Sequence, residues 1–578
     1  MAWYDEAVFY HIYPLGLTGA PKQNDYGEPV HRLNTLVPWI DHLKKIGISA
    51  LYIGPLFESV GHGYETTDYK KLDSRLGTNE DLTAFVKKCH EADIRVILDG
   101  VFNHTGRDFF AFRDIKEKRE GSAYRDWYCN VNFCGNNEYN DGFSYQNWGG
   151  YNLLVKLNQR NPAVKDYICD VIRFWVKEFD IDGLRLDAAD VLDFDFMQDL
   201  RRTADSVKPD FWLMGEVIHG DYSRWANANT LHSVTNYTLH KGLYSGMNDH
   251  NFFEIAHTIR YTNGMISRNI KLYNFVDNHD VERIITKLNN KAHYTPVHIM
   301  LFTLPGIPSI YYGSEFGIEG RKERFSDDSL RPYIDLKEHK DDYKNNPCTK
   351  LIAALAGIHS TYRQDLTGED YRELCLTNRQ FAYGRGRLIV AVNNDDNAAD
   401  INVQAADGEY TGLLYGGKVT ASGGRLQIKI LPNNGEIYAP VESGTGKRSV
   451  LSADEMKAVK GAETKQEQKP AEDKKSEQKT AEDKRSEQKA ADDKKSGQKA
   501  AAGKKSEQKK EAATKQEKKE AAVAEIPDIP YEEMNVEQLQ AVILAKMAKN
   551  GPVTDQMRKD VEENIWHNSL VNWANSFR

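Results

Sequence analysis

Between residues 7 and about 318, short apolar runs alternate with longer stretches of helical period. The runs include VFYHIYPLGL, ALYIGPLF, RVILDGVFNH, DGLRLDAAD, FWLMGEV, KLYNFVDNHD and GIPSIYYG, with a weaker one at SVTNYTL. Between them, segments such as EDLTAFVKKCHEADI repeat apolar residues at three- and four-residue intervals, so Leu82, Phe85, Val86 and Cys89 fall on one helical face. Strand–helix alternation predicts parallel strands joined by crossover helices. Eight such units over about 300 residues predict a closed (β/α)8 TIM barrel, an α/β fold.

The pattern breaks in four places. From about 105 to 161 the chain is rich in Asn, Gly, Tyr and Trp, too long for a simple strand–helix loop. It reads as a subdomain inserted after the third strand, inside a catalytic barrel covering 1–363. Across 364–442, runs such as RQFAYGRGRLIVAVNN and GRLQIKILP lie between Asn, Asp and Gly clusters, predicting an antiparallel β-sandwich. Residues 443–529 form a charged linker with a ten-residue repeat, AEDKKSEQKT and its copies, whose repeat core has nothing aliphatic larger than Ala. It cannot bury a core and reads as solvated or semi-helical. Apolar content returns in 530–578, where Asn535 and Gln538 read as a capping box. Leu539, Val542, Ile543 and Met547 then share a face, and Met557, Val561 and Ile565 form a second stripe, predicting a small helical module. A spacer leading to a separate module suits docking to a protein partner; packing on its own core is the alternative.

Composition narrows the function. Of 578 residues, 40% are hydrophobic, so much of the chain is globular, and the net charge of −9 argues against nucleic-acid binding or adhesion to anionic membranes. No apolar run reaches membrane-span length. MAWYDEAVFYHIYP lacks a basic segment followed by an apolar one, so it is not an export signal. The expectation is a cytoplasmic protein whose six cysteines are reduced thiols, with Cys129 and Cys134 the pair that oxidation would bridge.

The candidate chemistry lies where three runs end. GLRLD, WLMGE and FVDNHD place Asp187, Glu216 and Asp280 at the C-terminal ends of strands, where such barrels build their sites. Retaining glycoside hydrolysis needs an ionised carboxylate as attacker and a protonated carboxyl as donor, roughly 5–5.5 Å apart. A third acid nearby raises the donor's proton affinity and can hold sugar hydroxyls. Arg185, two residues before Asp187, points to the same strand face and would keep it ionised.

Around these acids, four segments resemble the four sequence regions of the α-amylase family, glycoside hydrolase family 13. Asp99-Gly-Val-Phe-Asn103-His104 is similar to the first, Gly183-Leu-Arg185-Leu-Asp187 to the second, Gly215-Glu216-Val217 to the third and Phe275-Val-Asp-Asn-His279-Asp280 to the fourth. The resemblance covers residues 1 to about 440. It implies a retaining hydrolase of α-1,4 bonds in maltodextrins, with Asp187 as nucleophile, Glu216 as acid/base and Asp280 as transition-state stabiliser. It further implies that His104 and His279 bind the same sugar, that Tyr64 stacks on it, that Arg185 orients Asp187, and that Asp99 is a structural support. Leu154-Val-Lys-Leu-Asn158 resembles the M-P-K-L-N signature of neopullulanases, cyclomaltodextrinases and maltogenic amylases, with Val155 in place of proline. That group usually carries an N-terminal β domain; here the first strand begins within ten residues of Met1, which leaves its usual dimer and cyclodextrin preference unsupported. No cofactor is implied. Asn103 is a candidate calcium ligand, although Asp190 and Val191 replace a lysine and a histidine common after the second region. A glucanotransferase or isomerase of the same superfamily shares the acids, and a glucan-binding scaffold with a recruiting tail is the non-enzyme alternative.

Overall fold

A computed structural model of the chain describes residues 2–265, 270–324, 326–441 and 536–550, together with 558 and 561. Eight strands form one parallel sheet: β1 Phe9–Ile12, β2 Ala50–Ile53, β3 Arg95–Gly100, β4 Gly183–Leu186, β5 Trp212–Gly215, β6 Ser233–Val234, β7 Tyr273–Asn274 and β8 Ile307–Tyr311. β1 pairs with both β2 and β8, and a parallel bridge from Thr235 to Tyr273 joins β6 to β7. The sheet therefore closes into the (β/α)8 barrel that the alternating pattern predicts.

Register decides what faces the interior. Because side chains alternate, Phe9, Ala50, Ile97, Trp212 and Met214 point inward and fill the barrel floor. Leu51, Leu98, Leu184 and Leu213 point outward into the helix layer. Among the inward positions, Asp99 of β3 pairs in register with Arg185 of β4, so a carboxylate and a guanidinium meet near the C-terminal rim.

The helices follow from their apolar stripes. In Pro162–Phe179, Asn161 caps the N-terminus by accepting from the Ala163 amide at 2.9 Å, and proline occupies the first turn. Its buried face, Val164, Ile168, Val171, Ile172 and Trp175, lies against the barrel, with Trp175 stacked on Phe57 at 4.3 Å between ring centroids. Truncating such a buried tryptophan costs about 3–5 kcal/mol. The face predicted for Leu82, Phe85, Val86 and Cys89 is buried in Asn79–Glu91.

Within 105–161, strands Asn147–Trp148 and Tyr151–Lys156 join His104–Thr105 in a small antiparallel sheet. Beyond the barrel, β9 Arg372–Leu376, β10 Gln380–Arg385, β11 Leu388–Asn393, β12 Ala399–Gln404, β13 Gly408–Gly412, β14 Lys418–Ala421, β15 Arg425–Ile430 and β16 Asn434–Pro440 form a six-stranded and a two-stranded antiparallel sheet. Helix Tyr294–Thr303 is buried on every side, which explains why its sequence is apolar all round. Buried Arg385 of β10 donates to the backbone carbonyl of Thr303 at 2.6 Å, tying the β domain to that helix.

The chain divides into two compact units, Met1–Glu463 and Thr464–Arg578. In the second, helix Val536–Asn550 buries Leu539, Val542 and Ile543, which cluster with Val561. The charged repeat, the capping box at Asn535 and the stripe residues Met557 and Ile565 lie outside the described residues.

Candidate active site

The hydrogen-bond ladder of the barrel runs one step past the strand ends and sets two of the acids. The Asp187 amide donates to the Gly100 carbonyl at 3.1 Å, and the Glu216 amide to the Leu186 carbonyl at 2.9 Å. Gly215 precedes Glu216 for a packing reason: a Cβ there would lie 2.4 Å from the Leu231 side chain and 2.7 Å from Ala189. Asp280 is placed differently from the strand-end position expected for it. β7 spans only Tyr273–Asn274, so Asp280 stands six residues beyond it, on a loop. Asp277 folds that loop back by accepting from the Ile284 amide and the Ser314 hydroxyl.

Arg185 is the hub. Its Nη1 lies 2.8 Å from Asp99 Oδ1 and 2.9 Å from Asp187 Oδ1, and its Nη2 lies 2.8 Å from Glu216 Oε2. One fully buried guanidinium thus serves three carboxyls, joining the two expected reacting groups through a single rigid fork. Tyr52 completes the support by donating to Asp99 Oδ2 at 2.9 Å. The Ala188 amide, at a positive φ of 46°, donates to Glu216 Oε2 at 3.1 Å. Tyr237 reaches Glu216 Oε1 at 3.4 Å and accepts from Asn278 Nδ2 at 3.2 Å.

A second arginine holds the third acid. Arg331, from the long loop after β8, lies 2.9 Å from Asp280 Oδ1 and 3.1 Å from Asp327 Oδ2, and it donates from Nε to the His279 carbonyl at 3.0 Å. On the other side of Asp280, His279 Nε2 lies 2.9 Å from Oδ2. The Tyr64 hydroxyl bridges the two clusters, 2.5 Å from His279 Nε2 and 3.2 Å from Asp99 Oδ2, to which it donates. Its ring lies nearly parallel to that of His279, 5.7 Å away. Gly63 makes this presentation of Tyr64 feasible: its φ is +99°, and a Cβ would come within 2.6 Å of Pro55. His104 braces the same residue, with Nε2 donating to the Tyr64 carbonyl at 3.1 Å and Nδ1 facing Asn103 Nδ2 at 3.3 Å. Burial lowers the His104 imidazole to about 3, so the ring is neutral.

The two clusters differ electrostatically. Burial pushes the Asp187 carboxyl well above the usual range; Arg185 opposes this, while Glu216, Asp99 and Asp280 reinforce it. Burial also raises Asp280, but His279, Arg331 and Lys322 outweigh it and hold that carboxyl well below the usual range. Asp280, a charged group already compensated, thus lies near Asp187, whose carboxyl burial pushes towards the protonated form despite Arg185, against the expectation that Arg185 alone keeps it ionised.

All of the expected residues, Tyr64, Asp99, His104, Arg185, Asp187, Glu216, His279 and Asp280, belong to this one connected network. Asn103, the candidate calcium ligand, is fully buried at the end of the first motif segment. Its Oδ1 faces the Gln159 amide nitrogen at 3.5 Å, and among the described residues no three His, Cys, Asp or Glu side chains converge as metal ligands. Sequence reasoning missed Arg331, Asp327, Tyr52 and Tyr237. For Tyr52 a signal existed, since it occupies an inward position on β2, in register with His11.

Comparison with known proteins agrees with the geometry. Residues 24–357 match the family model described as "Alpha amylase, catalytic domain". A cyclomaltodextrinase of a Bacillus species is 29% identical over 449 residues, covering 72% of this chain and 77% of that protein. A cyclomaltodextrinase of Thermoanaerobacter pseudethanolicus is 31% identical over 425 residues, covering 69% and 72%. Among solved structures, the debranching enzyme of Nostoc punctiforme aligns with a TM-score of 0.64 at 26% identity, covering 76% of this chain and 98% of that one. With four motif segments gathered at one barrel rim, the chain belongs to the α-amylase family of glycoside hydrolases, within the group of neopullulanases, cyclomaltodextrinases and maltogenic amylases.

Proposed function

We propose that this protein hydrolyses α-1,4-glycosidic bonds of maltodextrins with retention of anomeric configuration, through a covalent glycosyl–enzyme intermediate. The observation that carries this reading is the shared fork of Arg185, which holds Asp187 and Glu216 on one guanidinium at 2.9 and 2.8 Å. In the first step an Asp187 oxygen bonds to the anomeric carbon as the glycosidic C–O bond breaks. The Glu216 proton passes to the departing oxygen. In the second step water attacks the anomeric carbon, its proton returns to Glu216 and the ester bond to Asp187 breaks. Asp280, held ionised by Arg331 and His279, binds hydroxyls of the flattening sugar. Tyr64 provides the apolar face for that sugar and His279 a hydrogen bond, while Asp99 keeps Arg185 in place. His104 binds the same sugar as His279, its position supported by its hydrogen bond to the Tyr64 carbonyl.

The substrate class is drawn from the names of the relatives, and linear, cyclic and branched glucans remain in range. A cytoplasmic location is supported by the six cysteines, all of which are free thiols. No described helix is long and apolar enough to cross a membrane. The apolar face of helix Val536–Asn550 is buried against Val561, which favours the C-terminal module packing on its own core over that face holding a protein partner.

The test is an anomer-resolved product time course on maltotriose through maltoheptaose. The expected outcome is first-formed α-anomers, abolished in Asp187→Asn and Glu216→Gln. First-formed β-anomers would overturn the retaining mechanism, and products longer than the substrate would replace hydrolysis with glucosyl transfer.

A further inference from the structure

Three segments carry residues around Asp280. The turn between strands Phe57–Ser59 and Thr66–Leu72 presents Tyr64, the loop after β7 carries His279 and Asp280, and the loop after β8 supplies Arg331. Tyr13, one residue past β1, meets all three. The chain leaves the strand there because Pro14 opens the short helix Pro14–Leu17, with Tyr13 as its extended N-cap residue. Tyr13 is buried, so its hydroxyl needs a protein partner in place of water. That partner is the His62 carbonyl, to which the hydroxyl donates at 2.6 Å.

The ring and the hydroxyl reach different groups. The Tyr13 ring lies nearly parallel to the His279 imidazole, with 6.0 Å between centroids and 10° between planes. The Arg331 guanidinium carbon stands over the same ring, 4.7 Å from its centroid. A largely desolvated guanidinium is attracted to an aromatic face by the ring quadrupole. Arg331 in turn holds Asp280 Oδ1 at 2.9 Å. The hydroxyl acts on the His62-Gly63-Tyr64 turn instead. Of two consecutive carbonyls in that turn, Gly61 accepts from Arg75 Nη1 at 2.6 Å and His62 from Tyr13. Arg75 ties the turn to Asp73 and Ser59, whereas Tyr13 ties it to the groups that hold Asp280.

We propose that Tyr13 is a positioning residue with two separable parts: its hydroxyl fixes the turn that presents Tyr64 to the sugar, and its ring seats Arg331 so that Asp280 stays aimed. This rests on the reading of Tyr64 and Asp280 as sugar contacts. Stacking on Tyr64 is open to bound substrate and transition state alike, so the hydroxyl bears on KM. Asp280 acts on the flattening sugar, so the ring bears on kcat. A tyrosine that only filled space would show no such separation.

The test is steady-state kinetics on maltotriose for Tyr13→Phe and Tyr13→Leu. Tyr13→Phe keeps the ring and loses the bond to His62, so KM is expected to rise about fivefold with kcat within about twofold of wild type. Tyr13→Leu loses both parts, and kcat falls about tenfold in addition. Phenylalanine thus rescues kcat and not KM. Thermal melting shows whether each variant folds, and if Tyr13→Leu melts below the assay temperature, the KM of Tyr13→Phe decides. An unmoved KM in Tyr13→Phe overturns the proposal, as does a kcat that is unchanged in Tyr13→Leu or that falls equally in both variants. Tyr64→Ala and Asp280→Asn read the underlying contacts directly: the first is expected to raise KM and the second to lower kcat, each by more than the Tyr13 variants do. If KM is unmoved in Tyr64→Ala, or kcat in Asp280→Asn, it is the sugar contact itself that fails.

Discussion

Asp182 and Asp187 bracket the same strand, β4, and meet opposite fates. Asp182, just before the strand, is saturated with partners: His90 Nε2 at 2.7 Å, Lys208 Nζ at 2.9 Å, Arg95 Nη1 at 3.0 Å and the Val96 amide at 2.9 Å. Burial raises its carboxyl, but His90, Val96 and Lys208 overcome that and bring it down to about 2. Asp187, just past the strand, shares one arginine with two other carboxyls and is pushed up instead. The four residues of one strand thus separate an acid that holds the barrel together from one poised to react. The N-terminal end of the barrel spends its charges on stability; the C-terminal end keeps its charges in conflict.

The sharpest break in that contrast is Asp187→Asn. Turnover of maltotriose is expected to fall by about three orders of magnitude or more. The melting temperature should hold or rise, because a repelling charge is removed. A clear loss of stability with activity retained would place Asp187 in the same class as Asp182.

Arg331→Gln probes the charge balance at the second cluster. Freed from its guanidinium, Asp280 is misplaced and kcat/KM is expected to fall by about 10²-fold. Arg331 helps hold the Asp280 carboxyl low, so its loss lets protonation begin at higher pH. The acid limb of the activity profile should therefore move upward in pH. An unmoved limb would detach Arg331 from the control of Asp280.

Asp182→Asn should do the converse. Its depressed carboxyl contributes stability that is fully present above the ordinary value of 3.8 and is lost as pH falls towards about 2. Denaturant titration at neutral pH should show a loss of about 2 kcal/mol, and the difference from wild type should vanish in strong acid. Activity per folded molecule should not change. The smallest effect belongs to the tail: removing 443–578 should leave maltotriose turnover within about twofold, less than about 0.5 kcal/mol in the barrier.

The legibility of this site followed sequence distance. Arg185 could be read because it lies two positions from Asp187 on a strand, where period two puts both on one face. Glu216 could be read because it ends an apolar run that forms a barrel strand, and Asp99 through the resemblance of its segment to the first family region. Asp280 was legible as an acid but not in position, since β7 stops at Asn274 and the following loop, not the ladder, carries it. Arg331 left no signal: it lies 51 residues from Asp280, on a loop without periodicity, and only the closure of β8 against β1 and β7 brings it back. Asp182 was equally silent, because its partners come from three separate segments. The barrel itself was visible for the opposite reason, since its evidence repeats eight times along the chain.

The central claim is that Asp187 forms the bond to sugar. It is tested most directly by incubating the enzyme with a fluorinated maltosyl fluoride, which reacts to the intermediate faster than the intermediate hydrolyses, and mapping the adduct by peptide mass spectrometry. The account predicts one sugar per chain, on the peptide carrying Asp187, and none in Asp187→Asn. An adduct on any other carboxyl, or persistent labelling of the Asn variant at the wild-type rate, would contradict it.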